Sequence, residues 1–170
     1  MPNTKKVIPF IGVCIFLITN LPLAAQNALD SIPLKSIKGQ SLPFGSIVKK
    51  DTLVLICFWS TNSDISQSIL NSINSSYDDW KKKVHFRMLA VCMDQGKEAN
   101  RAKGISNMNE WKFEVLTDYT GGFQEATHAS TLPYCIILKS GKQIYQQAGY
   151  ELGTEKYLIQ KLESLANGKQ

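Results

Sequence analysis

Cysteine and histidine are scarce in this chain. Its 170 residues include four cysteines and two histidines, and no two cysteines form a Cys-x-x-Cys pair. Cysteine and histidine do not recur at the close spacing of a zinc site either. No Gly-x-Ser-x-Gly motif is present to mark a hydrolytic serine. We therefore expect neither a metal nor a bound cofactor.

Long runs of like charge are also missing. The formal net charge is +5, and Lys81-Lys82-Lys83 is the only basic run. It follows a predicted helix and is typical of a solvated helix end. A protein that binds nucleic acid would need a clustered basic face instead. We expect no nucleic-acid partner.

The N-terminal segment has the pattern of a secretory signal peptide. Lys5 and Lys6 precede an uncharged, mostly apolar run over residues 7–21, and small residues follow at 24–25. The run is shorter than the roughly 20 residues of a transmembrane helix, which favours a cleaved signal over 1–25. We therefore predict export to the periplasm or the cell surface, with no stable membrane span after cleavage.

The rest of the chain is long enough for one domain with its own core. Cleavage would leave about 145 residues. We place an N-terminal lead over 26–33, the folded domain over 34–166 and a short C-terminal tail over 167–170.

The apolar pattern predicts strands and helices that alternate. Predicted strands lie over 34–38 and 41–44 as a hairpin, then over 52–59, 84–93, 113–116, 134–138 and 143–148. One predicted helix begins after Ser63, and two more lie over 97–103 and 122–128. A last predicted helix is capped by Thr154. The first half needs crossover connections and the end is a hairpin, so this order predicts a mixed α/β sheet with helices on both faces.

The longest predicted helix follows strand 52–59. Ser63 is suited to its N-cap, and Asp64 favours the first turn. Apolar residues at three- and four-residue steps outline one inward face: Ile65, Ile69, Leu70, Ile73, Tyr77 and Trp80.

Three segments carry a family resemblance. They are the strand and loop over 53–66, the loop Ser130-Thr131-Leu132-Pro133-Tyr134, and the stretch over 111–118. In order and spacing they resemble the thioredoxin-like superfamily, and within it the TlpA-like exported branch of thiol-disulfide oxidoreductases. The resemblance covers roughly residues 30–166. It implies a thioredoxin fold, with a mixed central sheet, helices on both faces and a short N-terminal hairpin extension.

The resemblance breaks down at the family's dithiol. Where the family has Phe-Trp-Ala-Thr-Trp-Cys-Gly-Pro-Cys, residues 58–66 are Phe-Trp-Ser-Thr-Asn-Ser-Asp-Ile-Ser. Ser63 and Ser66 therefore stand at the two cysteine positions. A serine hydroxyl does not ionise near neutral pH and forms no disulfide, and Asp64 would oppose a thiolate. Dithiol exchange through this motif is excluded.

A family framework around a lost reaction centre favours a non-catalytic binding module. We expect it to hold an exported protein or peptide at the former active-site groove. In the family, the backbone at a cis-proline pairs with an extended substrate peptide. A purely structural role stays open for both Trp59 and Pro133. The expected binding residues are Trp59, Asn62, Ser63, Asp64, Ser66 and Pro133.

The alternative is a thiol-disulfide oxidoreductase acting through another cysteine. Cys57, Cys92 and Cys135 all lie in apolar, strand-like runs, where cysteine packs as a small hydrophobe. Because side chains alternate along a strand, Cys57 and Cys135 could lie next to each other beneath the altered motif. We favour the interpretation that both are inert core residues, as we expect for Cys92 too.

Two further catalytic hypotheses receive little support. A nucleophilic Ser63 would need a base, and His85 and His128 are the only histidines. A helix cap explains Ser63 more simply. A peroxidase would need a cysteine over residues 62–66, which contain none.

Overall fold

The fold follows from a computed structural model that describes residues 29–48 and 52–168. The predicted signal peptide over 1–25 lies outside these residues. The strands are β1 (Pro33–Ser36), β2 (Ser41–Pro43), β3 (Leu53–Trp59), β4 (Phe86–Cys92), β5 (Glu114–Thr117), β6 (Tyr134–Lys139) and β7 (Lys142–Ala148). The helices are α1 (Phe44–Ile47), α2 (Asp64–Lys83), α3 (Gly96–Ala99), α4 (Arg101–Met108), α5 (Gly122–Thr127) and α6 (Thr154–Ala166).

All seven strands join one mixed sheet in the order β2-β1-β5-β4-β3-β6-β7. The pairs β3–β4 and β4–β5 are parallel. The pairs β1–β2, β1–β5, β3–β6 and β6–β7 are antiparallel. The predicted mixed sheet, with its N-terminal hairpin, is confirmed.

The central strand β3 is buried along its whole length. A nearly continuous apolar run is typical of a strand covered on both faces. Because side chains alternate along a strand, its residues contribute to two separate cores. Leu53, Leu55, Cys57 and Trp59 enter one core, and Val54, Ile56 and Phe58 enter the other.

Helices cover both faces of the sheet, as the sequence predicts. Helices α2 and α6 pack on the core that contains Cys57, through residues such as Ile69 and Leu158. The opposite core is closed by Phe44 of α1 and Phe123 of α5, whose ring centroids lie 4.7 Å apart. No helix among the described residues is both long enough and apolar enough to cross a bilayer.

Four local predictions need correction. The helix predicted over 97–103 is two short helices, α3 and α4. His85 is exposed and precedes β4 instead of belonging to it. Gly153, in the left-handed region, is the N-cap of α6, and the Thr154 hydroxyl closes the preceding loop on the Glu151 carbonyl at 2.7 Å.

The fourth correction concerns Ile65, which is 56% exposed and does not face the core. Counting back three or four residues from buried Ile69 and Leu70 leads to Ser66, and Ser66 is fully buried. The inward position in the first turn of α2 is therefore taken by a serine.

Candidate functional site

The loop over residues 60–63 connects the end of β3 to the start of α2. Ser63 is the N-cap of α2, because its Oγ accepts a hydrogen bond from the Ser66 N–H at 3.3 Å. The Gln67 side-chain amide donates to the Thr61 carbonyl at 3.2 Å. The predicted cap is confirmed, and the loop is tied to the first turn of the helix.

The hydroxyl groups of Ser63 and Ser66 contact each other. Ser63 Oγ and Ser66 Oγ are 2.7 Å apart. They lie at the N-terminus of a 20-residue helix, where backbone N–H groups and the helix dipole favour negative charge. That environment lowers the pKa of a thiol, but a serine hydroxyl cannot use it near neutral pH.

Asp94, which sequence reasoning missed, anchors the site loop to the neighbouring strand. It follows β4, and its Oδ2 accepts a hydrogen bond from the Thr61 N–H at 2.7 Å. Burial raises the pKa of this carboxyl, but hydrogen bonds from Ser60, Thr61 and Cys92 outweigh burial and hold the pKa below its ordinary value. Its position directly after a predicted strand could have pointed to Asp94, because parallel strands end at the same edge of a sheet.

Side chains of negative and positive charge surround the loop, together with a neutral amide. The Arg101 guanidinium of α4 donates to Asn62 Oδ1 at 2.8 Å. Asn62, Asp64 and Arg101 are all exposed. Sequence reasoning missed Arg101, because this residue lies on a different helix from the loop it contacts. Together with exposed Ile65, these residues give the rim a mixed, partly apolar character.

Pro133 lies at the same end of the sheet. Tyr134 pairs with Phe58 across β6 and β3, which places Pro133 beside the end of β3. The Leu132–Pro133 peptide bond is cis. Pro133 is buried, and its carbonyl accepts a hydrogen bond from the Gly149 N–H at 2.9 Å. The exposed part of this loop is therefore Ser130 and Thr131, which precede the proline.

Trp59 is a core residue and cannot contact a bound partner. It is fully buried and packs edge-on against Trp111, with ring centroids 4.9 Å apart. The expectation that Trp59 is a binding residue is therefore wrong. An aromatic side chain of this size gains more from burial in the core beneath the site than from exposure.

Cys57 and Cys135 face each other across β3 and β6. They are directly paired in register, and their Sγ atoms are 2.9 Å apart. Both are buried free thiols. Burial and then the contact with Cys135 raise the pKa of Cys57 well above its ordinary value.

Cys92 is also buried and free. Burial raises its pKa to about 12. Since the thiolate is the nucleophile, neither Cys57 nor Cys92 is set up to react near neutral pH.

Neither histidine is placed as a base for Ser63. His85 precedes the first residue of β4, while the site loop lies beyond the last residue of β3, with which β4 runs parallel. The length of the strand, about 20 Å, separates them. His128 is exposed at the end of α5. The partner of the Ser63 hydroxyl is Ser66, not a histidine.

Within 29–48 and 52–168, no group of three or more His, Cys, Asp or Glu residues is positioned to hold a metal.

The Asp94 contact makes stability depend on pH. The depressed pKa means that the ionised carboxylate stabilises the fold above the ordinary aspartate pKa of about 3.9, and that this contribution is lost as pH falls through the lower folded value. We expect Asp94→Asn to be less stable than the parent at neutral pH, and the difference to narrow below about pH 4. Urea unfolding of both proteins from neutral to acidic pH measures it. A difference that does not change with pH would show that Asp94 acts through shape alone.

Comparison with known proteins identifies the family. A family model described as thioredoxin-like matches residues 51–144. An uncharacterized thioredoxin-like protein from Porphyromonas gingivalis, whose solution structure is known, is 31% identical. That similarity covers 84% of this chain and 94% of the other, with a TM-score of 0.73.

Two other solved structures share the fold at lower identity. StoA from Bacillus subtilis is 18% identical, over 78% of this chain and 97% of its own, with a TM-score of 0.62. A putative thiol:disulfide interchange protein DsbE from Chlorobium tepidum is 19% identical, over 76% and 88%, with a TM-score of 0.64. No curated protein matches the chain. The family model spans more than half of the sequence, so this chain belongs to the thioredoxin-like family, as its sequence motifs predict.

Proposed function

We propose that this chain is an exported thioredoxin-like protein that binds a protein or peptide without dithiol catalysis. The observation that carries the proposal is the pair Ser63 and Ser66, with hydroxyl oxygens 2.7 Å apart at the N-terminus of α2. Two hydroxyls stand where the resemblance puts two thiols, and the surrounding loop keeps its cap and its anchor at Asp94.

Export is part of the proposal and rests on the sequence. Lys5 and Lys6, the apolar run over 7–21 and the small residues at 24–25 are typical of a secretory signal. The periplasm or the cell surface would then be where the protein meets its partner.

The binding surface we propose, called here the site groove, has two sides. One is the exposed start of α2 with Asn62, Asp64 and Ile65, and the other is the loop over 130–133. The Pro133 carbonyl is already used by Gly149, so a bound segment would pair with backbone before the proline. An extended peptide recognised through main-chain hydrogen bonds fits such an edge, and Ile65 adds an apolar contact.

The alternative, an oxidoreductase acting through Cys57 or Cys135, draws support from the 2.9 Å contact between their sulfur atoms. Burial argues against it. Cys57 is fully buried and Cys135 is 2% exposed, so an external disulfide would have no path to either sulfur. For this reason we favour the binding function.

A double substitution tests whether the dithiol framework survives. We expect wild-type protein not to reduce a protein disulfide above background in the presence of dithiothreitol. S63C/S66C should form an intramolecular disulfide and accelerate that reduction by at least about tenfold, since the helix N-terminus stabilises a thiolate. Adding D64N should raise the rate further, because it removes a negative charge beside that thiolate.

The matched control for this experiment is S63C alone. It lacks a resolving thiol, and we expect it to accumulate a mixed disulfide without turnover. A folded S63C/S66C protein that neither forms the disulfide nor gains activity would show that the framework is lost.

A second experiment tests binding at the site groove. A permanently unfolded, S-carboxymethylated polypeptide serves as the probe, and binding is followed by NMR amide shifts. We expect the shifts to concentrate over residues 61–66 and 130–134. Ile65→Asn should weaken binding about tenfold, because roughly 1.4 kcal/mol of apolar contact is lost.

The control is Met108→Asn, at an apolar side chain of α4 that is 79% exposed. We expect it to bind as the wild type does. Equal weakening by both substitutions, shifts spread evenly over the surface, or no binding at all would each contradict a peptide-binding groove at this position.

A further inference from the structure

The centre of the sheet holds two cysteines in a geometry that suits a covalent bond. Cys57 and Cys135 are direct partners in the antiparallel pair β3–β6, with regular pairing on either side at Ile56–Ile136 and Phe58–Tyr134. Directly opposed residues of such a pair have Cα atoms about 4.5–5.5 Å apart. A disulfide needs about 4.4–6.8 Å. Both side chains enter the same core, so they point to the same face.

We propose that Cys57 and Cys135 form a structural disulfide that clamps β6 to β3, and that it forms while the chain folds in an oxidising compartment. The bond is a modification of the fold and does not turn over. It would therefore exist whether or not the site groove binds a peptide.

The oxidant is an external disulfide, R–S–S–R, of a small thiol or of a partner protein. The thiolate of one cysteine attacks it, forms a mixed disulfide and releases one R–S⁻, which takes up the proton that the cysteine lost. The second cysteine attacks the mixed disulfide through its own sulfur, and the second R–SH leaves with the second proton. Two thiols of the chain have then lost two electrons and two protons, and R–S–S–R has become two R–SH.

Burial fixes when this reaction takes place. In the folded protein the sheet face that carries both sulfurs is covered by Ile69 of α2 and Leu158 of α6, among others. An external disulfide can reach Cys57 only before these helices pack. Once the protein has folded, the packed helices also keep reductants away from the disulfide.

Cys92 is not an alternative partner in this proposal. It lies opposite Trp59 on β3 and opposite Thr117 on β5. The strand neighbour of Cys57 on β4 is Ala90. Only Cys135 faces Cys57 directly, so Cys92 should stay a free, buried thiol.

The disulfide would strongly stabilise the folded protein, because it joins two distant parts of the chain. It joins residues 78 positions apart and connects the β3–β4–β5 part of the sheet to the C-terminal hairpin. Closing a long loop reduces the conformational freedom of the unfolded chain, and this effect grows with loop length.

The test uses the exported protein carrying C14A/C92A, which leaves Cys57 and Cys135 as its only cysteines. It is unfolded, reduced and refolded with a mixture of reduced and oxidised glutathione. We expect a monomer lighter by two hydrogens, and a non-reducing peptide map that joins the two cysteine peptides. The oxidised form should melt on the order of 10 °C above the reduced form. In wild-type protein the same map should show the same link and a free Cys92.

The control is C14A/C92A/C135A, which should fold and show no link. Oxidised glutathione added to reduced protein that has already folded should produce the bond only at the rate of global unfolding.

Two results would overturn the proposal. One is folded protein, refolded with oxidant, that retains two free thiols or a stable glutathione adduct. The other is rapid oxidation of the already folded protein, which would show an accessible redox pair in place of a sealed clamp. If the variant does not fold, the same refolding and oxidation experiments are carried out on wild-type protein, and its peptide map shows whether Cys57 and Cys135 are linked.

Discussion

The burial of β3 on both faces is the constraint on which the rest of the structure depends. Seven consecutive apolar residues can be buried only if a strand pairs on both sides and helices cover both faces. The alternation along this strand then assigns Cys57 and Trp59 to one core and Phe58 to the other. Its end also sets the position of the site loop, because α2 begins five residues after Trp59.

Most of the fold could be predicted from the sequence, because it is encoded in local patterns. The run over 52–59 predicted β3 to within one residue, and the cap at Ser63 predicted the start of α2. The exceptions are cases where position relative to the sheet outweighs residue type. Ile65 is apolar but lies off the inward face, while Ser66 is polar and buried. Thr154 resembles a cap, yet its hydroxyl serves the preceding loop.

The site was only partly predictable, because its contacts join distant parts of the chain. Ser63 and Ser66 lie in one segment, and their relation followed from the helix. Asp94 contacts the loop from just after β4, and Arg101 contacts it from α4. No sequence periodicity connects either residue to the loop. Trp59 was expected at the groove, but its neighbour across the core, Trp111, makes it a packed aromatic.

In the function we propose, the surface around Ser63 binds a partner without dithiol chemistry. Serines hold the shape of the helix start, while the remaining thiols are buried away from solvent. Alkylation of the folded wild-type protein with iodoacetamide at neutral pH, followed by intact mass measurement, tests this most directly. We expect no label on Cys57, Cys92 or Cys135 until the protein is denatured and reduced. Labelling of Cys57 or Cys135 in the folded protein would contradict it and would favour an oxidoreductase that works through that cysteine.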